Sequence, residues 1–311
     1  MKAKPIYVEV PIKTEIERLW AASQEPQKHE QWDLRFSSIT YMPKKADEAQ
    51  LFTYETKIGF GMKIAGWGKS TGEVQSKDGS RTSALHFGTE QSISIIREGR
   101  GYWKYKPNGD AIDFITQYDY QVNGGRFGKL FDGLIFRPLI GWGTALSFDV
   151  LKRWLEKEET PASQFLRFFS GWMITFLFFF IWLYHGLVPK IVHPHPEEIS
   201  MMTNLLPIQL QGAQTLTALI GIAEILFGLC LVIARKKRKW YILQMFAFPI
   251  LGCSAIMANP DYLAHPFSPL TFNLALVILS ILGFLLHKDL PTARSCKQQK
   301  RKRPFSDVQT F

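Results

Sequence analysis

Apolar residues are distributed in two ways along this 311-residue chain. Up to about Thr160 they alternate with polar residues or recur at helical spacing, whereas from Phe168 to Leu286 they form long runs broken by short charged clusters. Residues 6–12 alternate and predict a strand. Thr14 then opens a helix with Glu15 and Glu17 in its first turn and Ile16, Leu19 and Trp20 on its apolar face; Pro26 interrupts it before His29 and Trp32. Further strands are predicted at 39–41, 51–64, 69–75, 82–88, 93–105 and 111–121. The turn residues at 77–80 and 107–110 make neighbouring strands antiparallel. A helical stretch at 127–157 follows, with kinks expected at Pro138 and at Gly141 and Gly143.

Beyond this region, four segments are predicted to span a membrane: 168–188, 213–234, 241–258 and 269–286. The third carries Pro249 and the second carries Glu224. An acidic residue at mid-span costs roughly 3 kcal/mol, while the eleven Leu, Ile, Phe and Val residues from Leu216 to Ile233 contribute about 5 kcal/mol in favour of insertion. The second segment is therefore expected to insert.

Charge sharpens the division. The formal net charge is +10, yet basic and acidic residues are nearly balanced up to Thr160 (23 against 21), so most of the excess lies beyond it (14 against 6). Those cations flank the apolar segments, as topology signals do, and point away from a nucleic-acid partner. Clusters before the first segment, at Arg235–Lys239 and after the fourth segment share one side if both termini are cytoplasmic. The amino terminus has no apolar run of signal-peptide type. The expected domains are 1–160, soluble; 161–290, membrane; and 291–311, a basic disordered tail. Cys230, Cys253 and Cys296 suggest neither a disulfide framework nor a metal site.

The order of strand, paired short helices, antiparallel sheet and long helix resembles the START/polyketide-cyclase (SRPBCC) superfamily. The segment from Thr14 to Trp32 looks like its first helix pair, and Leu151-Lys152-Arg153-Trp154-Leu155-Glu156 like the end of its long helix. In the membrane half, three elements look like the DoxX-like family: Tyr184-His185-Gly186 with Lys190, Gly221 through Gly228 around Glu224, and Asn259-Pro260 followed by Pro269 through Asn273. The implied architecture is an α+β helix-grip domain, its antiparallel sheet around a long C-terminal helix, followed by an all-α four-helix transmembrane bundle.

The first resemblance implies an apolar cavity for lipids, polyketides or similar molecules. Strand parity predicts an inward face of Ile112, Phe114, Thr116, Tyr118, Tyr120 and Val122, and another of Phe52, Tyr54, Thr56, Ile58 and Phe60. The candidate cavity residues are Tyr54, Trp103, Thr116, Tyr118 and Tyr120. The candidate polar residues of the membrane half are His185, Lys190, Glu224, Asn259 and Asn273, with no direct His185–Glu224 pair expected from their depths. No catalytic motif is found. The functional expectation is a multi-pass protein of a bacterial plasma membrane whose cytoplasmic domain binds a hydrophobic small molecule, with membrane lipids as partners. The alternative implied by the second resemblance is an accessory subunit of a quinone-linked oxidoreductase or oxidative-stress system, working with a membrane redox partner. The residues specify no cofactor.

Overall fold

The computed structural model describes residues 4–44, 48–59 and 61–300. It divides into two units: the described residues up to Gln164 together with those from Pro291 onward, and Phe165–Leu290.

The first unit is built on seven strands: β1 (Ile6–Ile12), β2 (Ser38–Tyr41), β3 (Leu51–Gly59), β4 (Met62–Gln75), β5 (Arg81–Gly88), β6 (Ile96–Asn108) and β7 (Ala111–Val122). They form one antiparallel sheet in the order β1-β7-β6-β5-β4-β3-β2. Helices α1 (Ile16–Gln24) and α2 (Pro26–Trp32) lie between β1 and β2. Helix α3 (Gly125–Phe131), a π-helical turn (Asp132–Phe136) and α4 (Arg137–Lys157) follow β7. This is the predicted order of strand, helix pair, antiparallel sheet and long helix. In β7 the even positions from Ile112 to Tyr120 are buried and the odd ones are not, so a period of two selects the core face as expected, although Val122, the last of the expected set, is only half-buried. That face meets α4, where Phe114 stacks on Phe148 at 4.6 Å between ring centroids. Trp32 closes the cluster from α2 and donates its indole N–H to the Ala22 carbonyl at 2.9 Å.

Two predicted boundaries move. The single strand expected at 51–64 is two strands, because the chain reverses between Gly59 and Gly61, both with positive φ (92° and 75°). The long-helix kink is the π-helical turn, one residue before Pro138.

The expected disorder of the tail does not hold for residues 291–300. Ala293–Ser295 forms a short 3₁₀ turn, and Glu9 and Lys297 exchange both backbone hydrogen bonds at 2.9 Å, so the tail adds a bridge to the outer edge of β1. The Lys297 ammonium also reaches the Glu9 carboxylate at 2.6 Å. Thr292 N donates to Asp149 Oδ2 at 2.8 Å, and the Cys296 thiol to the Ala145 carbonyl at 3.2 Å, both on α4. The basic run that starts at Lys297 hides a preceding segment of small residues that fill a seat on α4 and β1.

The second unit contains α5 (Pro161–Leu187) from Phe165 onward, a π-helical turn (Val188–Val192), α6 (Pro196–Leu205), α7 (Leu210–Ile233), α8 (Lys237–Ala258) and α9 (Pro269–Leu286). Phe178, Trp182 and Phe248 stack at its centre, with centroids 5.8 and 5.2 Å apart. Among the described residues, five helices are long and apolar enough to cross a membrane, not four. The additional one is Gly125–Lys157 of the first unit. Half of its apolar window is buried within the protein, against 17–28% for the others, because its apolar residues include the core face of α4.

Candidate functional site

Between the sheet and the helices of the first unit lies a cavity of about 570 Å³. Strand parity supplies its wall. Tyr54, Trp103, Thr116 and Tyr118 line it, as do Phe52, Thr56 and Ile58 on β3; Phe60 lies outside the described residues. Glycine makes room for this wall. A β-carbon on Gly101 would come 2.5 Å from Tyr118 Cβ, so only glycine lets β6 approach β7 there. The tyrosines hold their hydroxyls against protein groups. Tyr118 bonds Thr144 Oγ1 at 2.8 Å, and Tyr54 donates to the Gly88 carbonyl at 3.3 Å. Burial pushes the Tyr54 phenol up to about 12.

Tyr120 is not among the cavity-lining residues. Its hydroxyl donates to Asp132 Oδ1 at 2.6 Å, in a cluster completed by Arg137, which holds Asp132 and Asp119 at 2.9 Å each. The Arg137 guanidinium also lies over the Tyr120 ring at 4.2 Å. Tyr120 thus fixes the π-helical turn; burial together with the Asp132 hydrogen bond drives its pKa far above the usual phenol range.

The cavity wall also holds a charged group that sequence reasoning missed. Asp33, just past α2, is fully buried and accepts from Arg35 Nε (2.9 Å), Arg35 Nη2 (2.6 Å), the Arg35 backbone N–H (3.0 Å) and His29 Nε2 (3.0 Å). Burial opposes its charge, but the Arg35 charge and these hydrogen bonds outweigh it and hold the carboxyl well below its usual range. An ionised carboxylate only accepts, so His29 Nε2 donates to it. His29 lies among aromatic rings, 4.9 Å from Trp103 and 5.1 Å from Phe36. His29 and Arg35 line the cavity, whereas Asp33 does not. The spacing of His29 and Asp33 at i, i+4, with Arg35 two residues on, was the available signal.

The second unit contains its own polar cluster. Helices α5 and α7 meet in backbone contact at Gly186 and Gly221, where a β-carbon on Gly221 would stand 2.5 Å from the Gly186 carbonyl oxygen. One turn away, Lys190 Nζ lies 3.3 Å from Glu224 Oε2 and 3.3 Å from Glu198 Oε1. Lys190 and Glu224 are both buried and face each other. Glu198 on α6 had been overlooked because it follows the apolar run. Of the other candidates, His185 accepts from Lys190 Nζ through its backbone carbonyl at 3.5 Å, while Asn259 and Asn273 bond elsewhere. His185 packs on Phe272 at 5.7 Å, Asn273 donates to the Pro269 carbonyl at 2.8 Å, and Asn259 caps the turn at Pro260–Leu263. Among the described residues, no three His, Cys, Asp or Glu side chains are grouped to hold a metal ion.

Residues 179–281 match the DoxX-like family. Over 305 residues the chain is 37% identical to the uncharacterized membrane protein YndG of Bacillus subtilis (strain 168), with 97% of this chain and 100% of the relative covered. The chain belongs to the same family as YndG, with a DoxX-like region at residues 179–281. It is a membrane protein that carries a seven-stranded antiparallel sheet domain ahead of its DoxX-like region. Similar solved structures include the STAR-related lipid transfer protein of Xanthomonas axonopodis, at 17% identity and a TM-score of 0.38, covering 48% of this chain and 84% of that one. TTHA0849 from Thermus thermophilus is another, at 13% identity and a TM-score of 0.34, covering 44% and 86%.

Proposed function

We propose that the START-like domain binds a hydrophobic small molecule and that the DoxX-like helices hold it beside the bilayer that supplies or receives this ligand. The observation that carries the reading is the cavity of about 570 Å³, within the range of small-molecule sites and lined mainly by aromatic and aliphatic side chains interspersed with polar ones. Thr116 sits on its wall and is 2% exposed, so a larger side chain there fills the cavity. Full-length protein extracted mildly should carry a copurifying apolar molecule, detected by native mass spectrometry and solvent extraction. The Thr116→Trp variant should lose it while staying folded. Equal recovery from both proteins refutes the reading.

For the membrane arrangement, we infer four crossings by α5, α7, α8 and α9, with both ends of the chain in the cytoplasm. Support comes from the pairing of Glu9 with Lys297, which requires an even number of crossings between them. The fifth apolar helix, half buried in the sheet domain, is the one left out. The Arg235–Lys239 cluster then faces the cytoplasm together with the termini, in keeping with the positive-inside rule.

A further inference from the structure

The ion pair at the cavity wall is oriented. Asp33, fully buried, stands behind and is absent from the lining, while Arg35 stands in front and contributes to it. A pair that served only to tie α2 to β2 would gain nothing by turning its cation toward an apolar space, where an exposed guanidinium loses hydration without recompense. The Asp33 carboxylate occupies the Nε–Nη2 edge of the guanidinium. Arginine has five N–H donors, so the edge formed by Nη1 and the second Nη2 hydrogen is still a fork of carboxylate geometry. Among the described residues no second carboxylate pairs with Arg35, and the Tyr118 hydroxyl is its other side-chain partner. Aromatic rings set the guanidinium in place, with Tyr118 at 5.3 Å and Phe36 at 5.5 Å from Cζ to the ring centroids. His29 adjoins it on the same wall, held by the same Asp33. The other charged lining residues, Lys44 and Glu73, are solvent-exposed and of opposite sign.

We propose that the ligand is a hydrophobic carboxylic acid whose carboxylate seats on the edge of Arg35 turned away from Asp33, beside the Tyr118 hydroxyl, with its apolar body among the aromatic residues of the cavity. The proposal rests on the cavity being a ligand site and adds the chemistry of the head group. A charge-assisted, two-pronged hydrogen bond in an apolar setting makes the acid a better ligand than its ester, because an ester carries no charge and its carbonyl cannot fill the fork.

The test uses the full chain in phosphatidylcholine nanodiscs, with empty nanodiscs as the background. The uncharged fluorophore N-phenyl-1-naphthylamine reports cavity occupancy, and laurate and methyl laurate compete for it. Wild type should release the fluorophore at laurate concentrations at least tenfold lower than those of methyl laurate. Arg35→Gln, whatever its own affinity for the fluorophore, should respond to the two competitors within about twofold of each other. Since Arg35→Gln leaves Asp33 buried and unpaired, the double variant Asp33→Asn/Arg35→Gln provides the same readout with both charges removed. Equal competition in wild type, or an acid preference that survives in the double variant, overturns the head-group assignment and leaves the cavity reading standing. If wild type gives no fluorophore signal sensitive to Thr116→Trp, the cavity reading fails and this proposal fails with it.

Discussion

Asp33 has no exposed surface and satisfies its charge entirely with Arg35 and His29. Its carboxyl is held below the usual value in the folded protein, so its contribution to stability is complete above about pH 4 and is lost as pH falls from there toward the folded value. Removing one partner of a buried pair costs about 3 kcal/mol or more, because the other is stranded. Thermal unfolding at neutral pH should therefore show Asp33→Asn clearly destabilised, with the gap to wild type closing below about pH 4. A gap that stays constant to pH 2 would show that the pair does not carry the effect. Cys296 offers a second residue-scale test. Burial pushes its thiol up to about 12, so at pH 8 the thiolate fraction is about 10⁻⁴. Maleimide should label Cys296 at least tenfold more slowly in the native protein than in urea, as peptide mapping can follow.

At the scale of elements, most of the first domain was legible in the sequence. Alternation placed β1 and β7, and the even face of β7 is the buried one. The hairpin between β3 and β4 was not, because glycines at 66 and 68 interrupt the β4 pattern and resemble a break, while the true reversal lies between Gly59 and Gly61. The cavity wall was read from parity, but its charged corner was not. Asp33 and Arg35 fall in a loop where no periodicity speaks, and only folding sets one behind the other. In the membrane half, helices were visible as apolar runs, yet the pairing of Lys190 with Glu224 joins residues 34 positions apart and depends on how α5 and α7 cross. That crossing is set by glycine. Gly221→Val would drive a β-branched side chain into the Gly186 carbonyl and Lys190 Cβ, 2.5 and 2.9 Å from the β-carbon alone, and should cost about 1–3 kcal/mol in a nanodisc melting experiment. Gly212→Ala, where the nearest atom is Ile208 Cβ at 3.8 Å, should be close to neutral.

For the whole molecule, the four-crossing arrangement makes a pattern that labelling can read. Single cysteines placed in the 193–195 and 261–266 connections should react with an impermeant maleimide added outside intact cells. Those in the 235–238 connection should react only after permeabilisation. The converse pattern, or a mixed one, would overturn the arrangement. Hydropathy alone could not choose among five helices, since the core face of a START-like long helix and a lipid-facing helix have similar composition. The tail was misread for a related reason. Its composition is polar and basic overall, while the residues that dock are the small ones before Lys297. A chain ending at Leu290 should show a lowered melting temperature for the first domain, although the cut lies after the last membrane helix.

The docking of the tail on β1 also has a consequence in time. The strand edge at Glu9 is among the first parts of the chain to leave the ribosome, and its partner at Lys297 is among the last. Between the main body of the domain and its final segment lie the 126 residues of Phe165–Leu290. At ordinary bacterial elongation rates, these take roughly 6–25 s to synthesise. Throughout that interval β1 presents an open sheet edge, the kind of surface that recruits other strands or proteases. Closure of the edge thus coincides with completion of the membrane helices. A chain that stalls part-way through them keeps a first domain that lacks the Glu9–Lys297 bridge.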